Sequence, residues 1–174
     1  MAEEIPEDVR AYLLAGDGLG RVSVTERYPN VEARLRTPEV QATLYRYLAG
    51  KEPWAEEVPT LAMAALDTLL ATPTAEGAKS IRKLIAHPNP LLRLRAYRYL
   101  FAVVYPRDPD GMARVVRDML TDNDEPVRLD GAHFVRNLKM AGAMRAFLQD
   151  WIRRAPERKW DHGESYAIIL ELVK

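Results

Sequence analysis

Cysteine is absent from the 174 residues, which excludes disulfides, thiolate metal sites and a cysteine nucleophile. Net charge is absent too, with 25 Lys and Arg against 25 Asp and Glu. A dedicated nucleic-acid binder usually carries a basic excess, so this balance points away from one while leaving room for a local basic groove. The wholly apolar runs fall far short of the roughly 20 residues that a membrane-spanning helix needs. The acidic start, MAEEIPEDVR, has no basic-then-apolar signal pattern, so a cytoplasmic location is expected and no membrane contact. His87, His133 and His162 stand far apart, without HExxH or other close metal-ligand spacing, so neither a metal nor a cofactor is expected. Sustained period-two alternation is also lacking, which argues against a sheet.

What is present is a folded composition, 48% apolar and 29% charged, and an internal echo. Ala78 to Leu100 reads AKSIRKLIAHPNPLLRLRAYRYL, and thirty-five residues on, Ala113 to Val135 reads ARVVRDMLTDNDEPVRLDGAHFV. Ile81 faces Val116, Arg82 faces Arg117, and Leu92-Arg93-Leu94 faces Val127-Arg128-Leu129. A helix–turn–helix unit repeated at that period is how a helical solenoid is written.

Helix punctuation extends the pattern along the chain. A first helix is expected over about Pro6 to Ala15, then a flexible turn at Asp17-Gly18-Leu19-Gly20. Ser23 and Glu26 have capping-box spacing for a short helix ending before Tyr28-Pro29-Asn30. Residues 1–36 are read as an irregular amino-terminal cap on a single domain spanning 1–174. Helix pairs follow over 37–71, 74–105, 110–138 and 141–174, the first opened by Thr37-Pro38-Glu39. Ala65, Ala96 and Gly131 recur at one place in the second helices, where a small residue lets a paired helix approach closely.

HPNPLLRLRAYRYL and DNDEPVRLDGAHFV resemble HEAT repeats, whose second helix opens with an acidic loop, a proline, then Val-Arg and a small residue. The likeness covers about Pro59 to Leu138. The first unit has Ala62 in place of the arginine, and the last has His162-Gly163 where Val-Arg would stand. The resemblance implies an all-α, armadillo-like, right-handed α-solenoid of about four to five helix pairs with degenerate end repeats. It also implies a non-catalytic scaffold that binds a protein or peptide on a concave helical face.

Within that frame Arg93 and Arg128 are expected to tie down loop acids such as Asp122 or Asp124, the alternative being anion hooks. Asp67, Arg95, Arg98, Asp130, His133 and Asn137 lie away from the core face of the second helices and are candidates for a partner-binding groove. They could equally pair among themselves as Asp67–Arg98 and Arg95–Asp130. Ile168 and Leu172 on the last helix are candidates for an association surface, as in a structural subunit of a larger assembly, or pack back on the preceding helix.

HEAT-like alkylpurine DNA glycosylases, which place Trp, Asp and Arg around a damaged base, supply the enzyme alternative. Here Trp160 and Asp161 could be the pair, with Arg153, Arg154 and Arg158 as phosphate contacts. The competing reading has Asp161 and Glu164 capping the last helix and Trp160 packing as a staple.

Overall fold

Four helix starts are marked by short polar side chains that accept first-turn N–H groups which have no partner within the helix. Thr37 takes the Val40 N–H, Thr74 the Gly77 N–H at 3.0 Å and Asp108 the Gly111 N–H at 2.8 Å. Asn89 Oδ1 takes two, from Leu91 and Leu92. Pro38, Pro109 and Pro126 occupy first turns, where the missing N–H costs nothing.

The computed structural model describes residues 4–16, 18–55 and 58–174, and over these it is all-helical, without a strand. The helices are α1 Glu7–Leu14, α2 Leu19–Arg27, α3 Val31–Leu35, α4 Pro38–Ala49, α5 Glu52–Ala55 and α6 Thr60–Leu69. They continue as α7 Ala75–Ile81, α8 Pro90–Val104, α9 Pro109–Leu120, α10 Glu125–Asn137, α11 Arg145–Arg154 and α12 Glu164–Val173. A 3₁₀ segment, Arg82–Ala86, continues α7. The chain divides into two compact units, residues 1–99 and 100–174, with the division inside α8.

In the first unit α1 packs on α2, α3 and α6, while α4 packs on α3, α5, α6 and α7. Val9, Leu44, Leu48, Leu66, Leu69 and Leu92 are among the side chains withdrawn from solvent. Each such burial stabilises the unit by about 1.5–3 kcal/mol. In the second unit α10 lies against α9 and α12, and α11 against α12. Leu120, Val135, Leu148, Trp151 and Ile169 form its centre. Gly131 approaches α9 so closely that a Cβ there would sit 3.0 Å from Met119 Cβ, which is the reason for a small residue at that place. The carbonyl of Leu120, at the end of α9, accepts the Trp151 indole N–H at 2.7 Å, which satisfies a helix-terminal acceptor inside the core.

The thirty-five-residue echo is a turn as much as a helix. His87 Nδ1 accepts the Asn89 N–H at 3.0 Å, and at the equivalent place Asp122 Oδ1 accepts the Asp124 N–H at 2.9 Å. Arg93 Nη1 donates to the carbonyls of His87 (2.7 Å) and Pro88 (3.0 Å), and Arg128 Nη1 donates to that of Asp122 (2.8 Å). Long helical side chains lean toward the helix N-terminus, so an arginine in the first turns reaches back over the bend it follows. Both arginines hold backbone carbonyls, and Arg128 also holds a carboxylate, that of Glu125, at 2.8 Å. Buried carbonyls must find donors, and a guanidinium brings several to one place. His87 is 1% exposed and carries its proton on Nε2, which donates to the Pro53 carbonyl at 2.9 Å.

Residues 17–36 depart from expectation. Asp17 lies outside the described residues. Ser23 and Glu26 do not open a helix; both sit exposed within α2, which begins at Leu19 after Gly18. Gly18 has φ +71°, a conformation glycine adopts without strain, and as N-cap it places the helix start five residues earlier than the capping-box spacing suggests. Helix α2 does end before Pro29, with Tyr28 extended at φ −130°, ψ 76°. From Gly18 onward the described residues fold as two short helices, α2 and α3.

Tyr45 on α4 and Tyr99 on α8 meet hydroxyl to hydroxyl at 2.6 Å, and Tyr99 Oη accepts the Thr74 N–H at 2.8 Å. A Cβ on Gly77 would stand 2.4 Å from both rings' atoms, Tyr45 Cε1 and Tyr99 Oη, so α7 needs glycine there. Burial pushes the Tyr45 phenol from 10.0 up to about 12, with the Tyr99 hydrogen bond acting in the same direction. The folded chain therefore keeps a proton that the unfolded chain releases, and this contribution is whole below pH 10 and lost as pH rises from 10 to 12. Tyr45→Phe should cost about 1 kcal/mol at neutral pH. Urea titrations repeated between pH 10 and 12 should show a shallower fall of stability for the variant than for the wild type; parallel slopes would refute the assignment.

Candidate functional site

The residues singled out on the second helices fall in both units. In the first, Asp67 stands on α6 with Arg95 and Arg98 on α8; Asp67 and Arg98 are exposed and Arg95 is partly so. The pairs expected from sequence are corrected here. Arg95 takes Asp67, with Nε 3.1 and 3.0 Å from the two carboxylate oxygens, and its Nη1 donates to the Leu91 carbonyl at 3.3 Å. Arg95 lies one helical turn before Arg98, and it is that turn which comes level with Asp67. In the second unit Asp130 and His133 are half-buried on α10 and Asn137 is exposed, with Arg136 Nη2 3.3 Å from His133 Nδ1 one turn on.

Along α6 the first unit carries a hollow that residue spacing alone does not reveal. One part, about 460 Å³, lies among Leu14, Arg21, Thr60, Met63, Asp67 and Arg95. A second part, about 550 Å³, is edged by Glu32, Arg36, Gln41 and Thr72. Tyr12, Leu35 and Thr68 line both, so the two are adjacent stretches beside α6. The Arg21 guanidinium lies 5.0 Å over the Tyr12 ring, and the Tyr12 hydroxyl donates to Glu32 Oε1 at 3.0 Å. Burial raises the Tyr12 phenol pKa, and the bond to Glu32 and its charge raise it further. Tyr12, Arg21 and Met63 carry no motif, and their role depends on where α1 and α2 lie against α6.

The carboxyl-terminal candidates are built into the second unit. Trp160 is 7% exposed; its ring stacks on Trp151 at 5.8 Å and lies under the guanidinium groups of Arg128 (4.7 Å) and Arg158 (4.9 Å). It offers no open aromatic platform for a base. Arg153 and Arg154 both engage Asp150, and Asp161 stands 3.8 Å from His162. Asp161 does not cap the last helix. Glu125 does so from α10, accepting the Ser165 N–H at 2.9 Å on Oε1 and the Ser165 hydroxyl at 3.0 Å on Oε2. A Cβ on Gly163 would fall 2.5 Å from that carboxylate, so the glycine makes room for the remote cap. Ile168, a candidate either for an association surface or for packing back within the chain, is 7% exposed and belongs to the unit's core, with Leu172 packed partly buried against it.

Among the described residues no group of three His, Asp or Glu side chains is placed to hold a metal, and no helix is long and apolar enough to cross a membrane. No family model, no curated protein and no solved structure matches the chain.

The Arg95–Asp67 pair is well aligned but wet, Asp67 having 54% of its side chain exposed. A double-mutant cycle with Asp67→Ala and Arg95→Ala, read by urea denaturation, should give a coupling of about 0.5–1 kcal/mol that shrinks at high salt. A coupling above about 2 kcal/mol would show that the pair is structural and not displayed.

Proposed function

We propose that this chain is a HEAT-like α-solenoid module that binds a protein or peptide partner without catalysing a reaction. The observation that carries the reading is the repeated turn: positions 87, 89 and 93 make the same backbone contacts as 122, 124 and 128. Two copies of one hydrogen-bonded turn, each feeding a second helix, are what stacked helical repeats require. Such helices offer polar side chains on a rigid support, which favours specificity through matched charge and hydrogen bonding. Asp67, Arg95 and Arg98 are the groups so offered by the first unit, and Asp130, His133 and Asn137 those of the second.

Exposed apolar side chains support a binding role as well. Helix α2 has no buried residue, and its Leu19 is 88% exposed, with Val22 and Leu14 also open to solvent. The test is capture from a native extract followed by partner identification, repeated with Arg98→Glu and His133→Glu. Both variants should melt within a few degrees of the wild type and lose the identified partner; full capture by the folded double variant would sink the assignment of these faces.

A further inference from the structure

The hollow beside α6 is elongated and its polar groups are unevenly placed. From Thr60 to Leu69 the helix runs roughly 14 Å, room for about four residues of extended chain. Met63 and Ala64 form part of the floor and Leu13 and Leu14 part of the wall, so apolar side chains have somewhere to go. Arg21 and Arg95 stand in the same part, with Asp67 as its acid. The single Arg95 Nε–H is shared between the two Asp67 oxygens and one Nη1 N–H goes to the Leu91 carbonyl, which leaves the guanidinium both Nη2 N–H groups and the second of Nη1. In the neighbouring part Glu32 is engaged by the Tyr12 hydroxyl, and Gln41 by Thr72 at 3.1 Å. The lining charges of the two parts are Arg21, Arg36 and Arg95 against Glu32 and Asp67, an excess of one positive charge.

We infer that this hollow is a peptide groove that takes a short extended segment of a partner protein, with an acidic side chain at the Arg21–Arg95 end and apolar side chains along Met63 and Ala64. The carboxylate receives a charge-assisted hydrogen bond from Arg95 Nη2 and lies in the field of Arg21. Arg95 is held in place before the ligand arrives, so little side-chain entropy is lost on binding. The inference rests on the binding-module reading and names the partner's chemistry at one of its surfaces.

The test uses the full chain and fluorescein-labelled peptides read by polarisation. The probe has a central aspartate–leucine–threonine–leucine run between glycine–serine ends, and its counterpart carries asparagine for the aspartate. A short oligothymidylate serves as the nucleic-acid arm. The acidic peptide should bind about tenfold more tightly than the asparagine peptide, as one charge-assisted contact implies. Arg95→Gln should abolish that preference, and Met63→Glu should weaken both peptides at unchanged melting temperature. If one variant unfolds, the peptide comparison on the wild type still decides. Equal binding of the two peptides, no binding of either, or tighter binding of the oligonucleotide overturns the inference. Retained capture of the native partner by Arg95→Gln and Met63→Glu, with loss on changing Arg98 and His133, would remove this groove and leave the broader reading standing.

Discussion

An arginine near the start of a helix, reaching back to the carbonyls of the turn it has just left, is the contact on which the fold rests. A chain of short helices joined by tight turns buries some turn carbonyls, and a buried carbonyl without a donor costs about 1–3 kcal/mol. The cation lies at the unfavourable, positive end of the helix dipole. Arg93 offsets this with the carbonyls of His87 and Pro88, and Arg128 with Asp122 and the Glu125 carboxylate. Each turn is locked twice, since the side chain of residue 87 or 122 also accepts the N–H two residues on.

In the second unit this contact becomes the hub of a longer chain. Glu125 Oε2 holds Arg128 and the Ser165 hydroxyl while Oε1 takes the Ser165 N–H at the start of α12; Arg128 lies over Trp160, which stacks on Trp151, which binds the end of α9. The last helix therefore has no cap of its own, with glycine at the N-cap place and its capping carboxylate forty residues earlier. That coupling explains why Trp160 and Ile168 are inside.

Much of this was legible in the sequence and some was not, for a physical reason. Helix starts marked by Thr37-Pro38, Thr74 and Asp108-Pro109 depend on contacts three residues away, which local spacing reveals. The small residue at Gly131 was readable because its purpose recurs with the repeat. Helix α2 was misplaced because Ser23 and Glu26 satisfy a spacing rule that Gly18's backbone overrides. The pairing of Arg95 with Asp67 turns on the level at which α8 lies beside α6, and one helical turn separates it from the Arg98 pairing that spacing suggested. The hollow along α6 depends on where α1 and α2 settle, and Tyr12 and Arg21 have no pattern that announces them.

The proposed solenoid and its binding faces stand on the premise that the two arginines do the same work. The direct test is urea denaturation of Arg93→Met and Arg128→Met beside the corresponding lysine variants. Each methionine keeps the apolar stem and removes the donors, so each variant should lose about 2–3 kcal/mol. Lysine, with a shorter reach and no planar fork, should restore less than half of that loss. Methionine variants that unfold within about 0.5 kcal/mol of the wild type, or a large loss at one position and none at the other, would contradict the account.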